Sequence, residues 1–227
     1  MLRITQRETV VCAATEDIAA ARGRFERDGY TKIPGLLEPS LQAAVLEAID
    51  GTELTPRVHE GIGVEVCAPS GAVSGVLEFL FNDRAMLAAI SRLTGCPPIG
   101  CFEGRVYRLV PGGGHYDSWH SDVGDDRLVA LSLNLGREPF EGGALEIRRA
   151  DSPTPIASVE NRTPGDAVLF RIDPAFRHRV ATVTGHVPRT AWAGWFRARP
   201  DFRDLLAAKL RGATTGTGPV RLRTPTT

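Results

Sequence analysis

The hydrophobic pattern changes at about residue 101, and this change restricts the possible folds more than any other feature of the chain. From there apolar and polar residues alternate with a period of two, whereas apolar residues before it recur at helical spacing. Alternation places successive side chains on opposite faces of a strand. The segments with this pattern are "CFEGRVYRLV", "RLVALSLNL", "ALEIRRA", "DAVLFRI", "HRVATV" and "RTAWAGWFRA".

Turns rich in glycine and proline separate these segments, among them "PGGG", "EGG", "TPGD" and "VTGHVP". Six or seven short strands at this spacing are typical of an antiparallel sandwich or barrel such as a jelly roll. We therefore predict an α+β, mainly β fold, with a jelly-roll core over residues 101–198 and supporting helices in residues 1–100.

The first hundred residues contain three segments with helical periodicity: "TEDIAAARGRFERDG", "EPSLQAAVLEAID" and "NDRAMLAAISRLTG", the last with Asn82 as its N-cap. Residues 52–80 have weak periodicity and are predicted to form an irregular loop that covers a site. We expect a single domain over residues 1–211 that ends in a helix at 201–211. The segment 212–227 has few apolar residues and is predicted to be disordered.

Composition excludes several classes of partner. Lys plus Arg equals Asp plus Glu at 27 each, so no net charge attracts nucleic acid or an anionic membrane. No apolar run approaches the roughly 18 residues of a membrane span. The four cysteines form no Cys-x-x-Cys pair and are expected to be reduced thiols. We expect a cytoplasmic protein without nucleic-acid or membrane partners, and the sequence leaves its oligomeric state open.

The stretch "HYDSWHSDVGDD", residues 115–126, concentrates histidine and aspartate. His120 and Asp122 are two residues apart, so on an extended strand they face the same point, together with Tyr116 and Ser118. The other histidine and aspartates of the stretch are expected at the rim or in the following turn. A His-x-Asp pair alone is common by chance and is more often an ordinary polar segment than a metal site.

A third ligand changes this interpretation. His178 opens the strand-like segment "HRVATV" and is the best candidate. Two histidines and one carboxylate on one side of an ion form the facial triad of non-haem Fe(II) oxygenases.

Arg189 begins the segment "RTAWAGWF" and by alternation shares one face with Ala191, Ala193 and Trp195. The small neighbours leave room for a ligand beside the guanidinium. Its partner is either an internal acid or a substrate carboxylate, which an arginine fork holds with two hydrogen bonds.

In this order the motifs resemble the 2-oxoglutarate and Fe(II)-dependent oxygenase superfamily, in particular its prolyl-4-hydroxylase-like branch. The resemblance covers about residues 101–198: a tyrosine before a glycine-rich turn, His-x-Asp, Gly-Gly with "LEI", "PGDAVLF", "HRV" and the arginine strand. It implies a double-stranded β-helix, which is the jelly roll that the strand pattern already predicts.

The resemblance also implies roles for individual residues. His120, Asp122 and His178 would hold Fe(II), Arg189 would bind the distal carboxylate of 2-oxoglutarate, and Tyr107 would hydrogen-bond the same cosubstrate. Two further positions are assigned from the family pattern, and the first of them departs from it. Asn134 falls where relatives often place a tyrosine against 2-oxoglutarate, although an amide can also donate a hydrogen bond. Arg127 falls where relatives have an arginine near the prime substrate.

The implied reaction is hydroxylation of an unactivated C–H bond in an amino acid, a peptidyl residue or a small natural-product intermediate. 2-Oxoglutarate and O₂ are consumed, succinate and CO₂ are released, and ascorbate serves as an optional reductant. In halogenase relatives a small residue replaces the carboxylate ligand, so Asp122 favours hydroxylation, while desaturation and demethylation stay open. Two alternatives are a non-oxidative cupin-like Zn or Mn isomerase or hydrolase, which would not need Arg189 with Tyr107, and a non-catalytic small-molecule-binding barrel.

Overall fold

The computed structural model describes residues 2–11, 15–69, 71–124 and 126–215. The helices are α1 (Thr15–Asp28), α2 (Pro39–Asp50), α3 (Ala72–Phe81), α4 (Arg84–Thr94) and α5 (Phe202–Thr215). The strands of the first half are β1 (Leu2–Ile4), β2 (Thr9–Val11), β3 (Tyr30–Ile33), β4 (Thr55–His59), β5 (Gly63–Cys67), β6 (Cys101–Leu109) and β7 (Tyr116–Asp117). Those of the second half are β8 (Arg127–Asn134), β9 (Glu141–Gly142), β10 (Leu145–Arg149), β11 (Pro155–Val159), β12 (Ala167–Arg171), β13 (Phe176–Val180), β14 (Val183–Thr184) and β15 (Arg189–Arg197).

An eight-stranded antiparallel sheet forms the larger wall of the molecule. Its order is β3-β12-β8-β15-β6-β5-β4, and β7 pairs with β5 beside this path. Long strands β6 and β15 pair over their whole length, from Arg189 opposite Leu109 to Arg197 opposite Cys101. This pairing fixes which residues of the two strands share the inner face.

A smaller sheet, β11-β10-β13, covers part of the inner face of the larger one, and the short pair β14-β9 lies beside it. Ala130 and Phe170 of the large sheet pack with Leu145 and Ile147 of the small sheet in one buried cluster. Two antiparallel sheets around a shared interior make a jelly roll, and the predicted double-stranded β-helix is confirmed.

The helices pack on the outer face of the large sheet. Trp192, Phe196, Phe102 and Phe81 form an aromatic cluster there, with ring centroids 4.7 to 6.3 Å apart. Trp192 is therefore directed away from the barrel interior, as alternation along β15 predicts.

Phe102→Ala is expected to lower the free energy of unfolding by about 3–5 kcal/mol, since a fully buried ring leaves a cavity that the sheet cannot close. Phe79→Ala removes the same side chain from α3, where it is 70% exposed, and is expected to change stability by about 0.5 kcal/mol at most. Urea denaturation of both variants measures the difference. Equal losses would contradict the placement of Phe102 in the core.

Residues 52–80 were predicted as loop, and this was wrong: they form the hairpin β4–β5 and helix α3. Strand β5 does alternate between buried and half-buried residues, but its buried set is Gly63, Glu65 and Cys67. A buried glutamate hides the apolar period, and it is accommodated because Arg105 neutralises it at 2.8 Å.

Asn82 was predicted to cap α4, and Asp83 does so instead by accepting a hydrogen bond from the Ala85 amide. Asn82 ends α3, and its side-chain amide pairs with both backbone groups of Phe102, at 2.7 and 2.9 Å. It therefore connects helix α3 to strand β6.

Helix α5 continues to Thr215, four residues beyond the end predicted for it, so residues 212–215 are helical. The rest of the segment predicted to be disordered, 216–227, lies outside the described residues, as do Cys12 and Asp125. Cys67 and Cys101 are buried free thiols, and burial raises the pKa of each to about 11. Among the described helices, none has both the length and the apolar character needed to cross a bilayer.

Candidate metal centre and its cavity

The two predicted histidine ligands are brought together by backbone pairing. His120 donates its amide to the carbonyl of His178 at 3.1 Å and accepts the amide of His178 at 3.0 Å. The pair bridges the end of β7 and strand β13, which belong to different sheets. Their rings meet edge to face with centroids 4.3 Å apart.

Asp122 completes the cluster. Its carboxylate lies 3.2 Å from His178 Nε2 and 3.7 Å from His120 Nε2. One donor atom from each of the three residues lies within 4.8 Å of the others. Donors at right angles around an ion with bonds of about 2.1 Å are about 3 Å apart, so modest side-chain adjustments suffice to hold an ion. Two imidazoles and a carboxylate are the donor set of non-haem Fe(II).

Hydrogen bonding sets the tautomer of His120. Its Nδ1 lies 2.7 Å from the Ser118 carbonyl oxygen, which can only accept, so Nδ1 carries the proton. Nε2, on the other side of the ring, faces Asp122 and the cavity. Asp117 lies behind the same nitrogen at 3.4 Å and is itself held by the amide of Val180 at 2.7 Å. Such outer carboxylates orient metal-bound histidines.

Asp117 was expected at the rim, whereas it is largely buried against His120. Strict alternation also predicted Ser118 on the metal-facing side, but Ser118 Oγ donates to the carbonyl of Gly61 instead. The chain bends at Trp119, which breaks the period of two. His115 accepts the amide of Val110 through Nδ1 and closes the glycine-rich turn, so it is not a ligand.

The environment of Asp122 favours its charged form. Burial alone would raise the pKa of this carboxyl, but His178, the Trp195 indole and His120 outweigh burial and hold the pKa well below its usual range. Trp195 Nε1 donates to Asp122 Oδ2 at 2.7 Å. The ligand is thus an anion at neutral pH and is oriented before any ion binds.

Trp195→Phe is expected to weaken Fe(II) binding by about tenfold, because it removes this donor and keeps the ring. Trp119→Phe is the matched control, since its indole lies between Arg148 and Arg179, outside the cavity lining. Anaerobic Fe(II) titration in the presence of 2-oxoglutarate measures both. An unchanged affinity in Trp195→Phe would show that the hydrogen bond does not position Asp122.

A cavity of about 510 Å³ opens beside the three donors and runs along the inner face of the large sheet. Arg189, 4% exposed, occupies one end of it. Its Nη1 donates to the Tyr107 hydroxyl and its Nη2 donates to Ser132 Oγ at 2.9 Å. Gly143 leaves room for this side chain, because a Cβ there would lie 3.0 Å from Arg189 Cδ. No carboxylate of the described residues pairs with Arg189, which leaves its charge for a ligand.

The predicted residues Asn134 and Arg127 lie at opposite ends of β8. Asn134 is buried, its Oδ1 accepts the amide of Gly136, and its Nδ2 has no partner among the described residues. It does not line the cavity, whereas Ser132, two residues earlier on the same face, does. Sequence reasoning missed Ser132, although alternation with Asn134 would have indicated it. Arg127 lines the cavity, stacks on Trp195 at 3.7 Å and lies 3.7 Å from Asp122.

The cavity wall also holds a cluster of polar side chains around Glu65 that the sequence did not predict. Glu65 Oε1 accepts from Arg105 Nε at 2.8 Å and lies 3.2 Å from both His59 Nε2 and Cys67 Sγ. Burial would raise the pKa of Glu65, but the charge of Arg105 and these hydrogen bonds lower it. The β4–β5 hairpin carries this group, so the misassigned segment 52–80 contributes to the site.

Comparison with known proteins agrees with this geometry. Residues 104–197 match the sequence model of the 2OG-Fe(II) oxygenase superfamily. No curated protein sequence matches the chain.

Similar solved structures include a 2OG-Fe(II) oxygenase family oxidoreductase from Burkholderia pseudomallei, with a TM-score of 0.64 and 15% identity over 88% of this chain and 97% of the other. A Pseudomonas putida prolyl-4-hydroxylase has a TM-score of 0.59 and 24% identity over 81% and 100%. The α-ketoglutarate-dependent epimerase SnoN from nogalamycin biosynthesis has a TM-score of 0.61 and 16% identity over 92% of each chain. At these identities the likenesses establish the fold.

The matched stretch contains all three metal donors and Arg189 with its partners. The jelly-roll core of this chain therefore matches the 2OG-Fe(II) oxygenase superfamily both in its sequence model and in a donor set suited to Fe(II). The resemblance found in the sequence is confirmed at this level.

Proposed function

We propose that the protein is a 2-oxoglutarate-dependent dioxygenase that hydroxylates an unactivated C–H bond of an amino acid, a peptidyl residue or a small natural-product intermediate. One observation carries the proposal: the His120–Asp122–His178 cluster and the buried Arg189 line the same cavity. A metal site alone would also suit a non-oxidative Zn or Mn enzyme. Arg189 is a buried cation beside that site, and no carboxylate of the described residues pairs with it. This arrangement indicates an acidic cosubstrate.

In this proposal His120, Asp122 and His178 hold Fe(II), which supplies the centre where the 2-oxo acid and O₂ react. Arg189 binds the distal carboxylate of 2-oxoglutarate. Tyr107 and Ser132 hold the guanidinium in place and present hydroxyl groups to the same carboxylate. The three donors would hold the ion from one side and would leave its other side to the cavity.

The residues around the donors control water and charge. Leu131, Leu145, Phe170 and Val180 give the cavity apolar walls, which limit access of bulk water to the reacting atoms. Asp122 remains a carboxylate in its hydrogen-bonded setting, and it would occupy the coordination position that halogenating relatives leave to chloride. This favours hydroxylation as the outcome.

The similar structures differ in outcome, since one is described as a prolyl-4-hydroxylase and another as an epimerase. Product mass separates these cases: hydroxylation adds one oxygen atom, desaturation removes two hydrogens, and epimerisation leaves the mass unchanged. A peptide and a free metabolite both fit an open cavity of this size.

The test starts without a prime substrate. Anaerobic Fe(II) plus 2-oxoglutarate is expected to give the weak visible charge-transfer band of the chelate. Amino acids, peptides and small metabolites are then screened under air for succinate release, with mass spectrometry of the products. Absence of the band, together with absence of succinate for every compound, would contradict the assignment. Turnover with Zn(II) and without 2-oxoglutarate would favour the non-oxidative alternative.

A further inference from the structure

The sheet that carries Arg189 holds a second arginine on the cavity wall, and among the described residues nothing binds its terminal nitrogens. Arg105 lies on the inner face of β6, two residues before Tyr107, and pairs across to Ala193 of β15. Only its Nε is engaged, by Glu65. Among the described residues no acceptor binds Nη1 or Nη2.

Arg105 is held rigidly in this position. Its guanidinium lies 5.7 Å from the centroid of Tyr107 and 5.9 Å from that of Trp195, so two aromatic rings flank it. Burial would lower the pKa of Arg105, but the charge of Glu65 and its hydrogen bond outweigh burial and raise it. A guanidinium fixed through Nε, with two free terminal groups, is prepared for a bidentate acceptor.

Glu65 alone does not neutralise the two arginines that surround it, Arg105 and Arg57. Arg57, on the neighbouring strand β4, pairs across to Glu65 in register and lines the same cavity. No carboxylate of the described residues lies within ion-pair distance of it. Apart from Arg189, the other arginines near this wall have acidic neighbours, since Arg127 lies near Asp122 and Glu103 binds Arg197. One uncompensated positive charge therefore remains beside Arg105.

We propose that Arg105 binds a carboxylate group of the prime substrate through Nη1 and Nη2, with Arg57 adding attraction at the rim. The prime substrate is then a carboxylic acid, either a free amino acid or another small acid. This inference rests on the proposed function. The role of Arg105 differs from that of Arg189, because Arg105 pairs with Ala193, which is four residues and about 13 Å of strand from Arg189. The two guanidinium groups lie 5.7 and 5.4 Å from the centroid of the Tyr107 ring.

The experiment uses enzyme loaded with Zn(II) and 2-oxoglutarate, which cannot turn over. The probes are the twenty proteinogenic amino acids and a set of small mono- and dicarboxylic acids, each paired with its primary amide, and binding is followed by ligand-observed NMR. Wild type is expected to bind at least one acid at least about tenfold more tightly than the matching amide. Arg105→Gln is expected to lose this preference, and Arg105→Lys to keep part of it.

Arg137→Gln is the matched control, since Arg137 is an exposed arginine paired with Asp50 outside the cavity. The 2-oxoglutarate affinity of each variant comes from the visible band with Fe(II) and also reports that the site is intact. If Arg105→Gln leaves Glu65 unpaired and does not fold, the double variant Glu65→Gln/Arg105→Gln replaces it. This variant removes both charges of the pair.

Four results would overturn the proposal: no acid bound by wild type, amides bound as tightly as acids, unchanged acid binding in Arg105→Gln, or a tenfold loss of 2-oxoglutarate affinity in that variant. The last would mean that Arg105 holds the cosubstrate's own carboxylate. Failure of the proposed function looks different, because wild type would then show no visible band with Fe(II) and 2-oxoglutarate.

Discussion

Replacing His120, Asp122 or His178 by alanine is expected to abolish both the visible Fe(II)–2-oxoglutarate band and succinate formation. Each variant removes one of three donors that already face one point. In Asp122→Ala the site also loses the only negative charge among its donors, and Trp195 Nε1 loses its acceptor. Two neutral imidazoles bind a divalent ion far more weakly than a facial triad.

His186→Ala is the matched control, because this histidine lies in the turn between β14 and β15 and does not line the cavity. It is expected to keep the band and its intensity. Anaerobic titration with Fe(II) at saturating 2-oxoglutarate measures the band, and circular dichroism confirms that each variant is folded. A triad variant with wild-type affinity for iron would refute the metal centre.

Arg189→Ala is expected to raise the KM and Kd for 2-oxoglutarate by about a hundredfold while leaving Fe(II) binding nearly unchanged. A charge-assisted hydrogen-bonded contact to a carboxylate contributes about 3 kcal/mol, which corresponds to this factor. The removed cation lies among buried groups, so water replaces it poorly. The effect is expected on cosubstrate binding more than on kcat, because Arg189 is remote from the bond that reacts.

Arg189→Lys tests the geometry as well as the charge. A lysine keeps the positive charge but cannot hold Tyr107, Ser132 and a carboxylate at the same time. Its affinity for 2-oxoglutarate is expected to lie between those of wild type and Arg189→Ala. The readout is titration of the visible band with 2-oxoglutarate at fixed Fe(II). If Arg189→Ala binds 2-oxoglutarate like wild type, the cosubstrate is held elsewhere.

The sequence indicated the three candidate metal donors, which the structure brings together, because their signals are local. His-x-Asp, the strand carrying His178 and the arginine that opens β15 each lie on short segments that the sequence shows directly. Alternation also placed Trp192 in the outer core and Trp195 inside.

The wall of the cavity could not be predicted in the same way. Glu65 and Arg105 are 40 residues apart, and each looks like a solvated charge until the β5–β6 pairing brings them together. The hairpin β4–β5 was mistaken for a loop because Glu65 occupies a buried position that a pattern of apolar residues does not reveal. Asp117 was misplaced because the bend at Trp119 shifts the alternation by one residue.

The backbone pairing of His120 and His178 has a consequence for the folded state as a whole. These two residues fasten the large sheet to the small one, and the same two residues donate the imidazoles of the triad. An ion bound there would crosslink the two sheets through their side chains. Metal binding is therefore expected to stabilise the pairing of the two sheets, and separation of the sheets is expected to weaken metal binding.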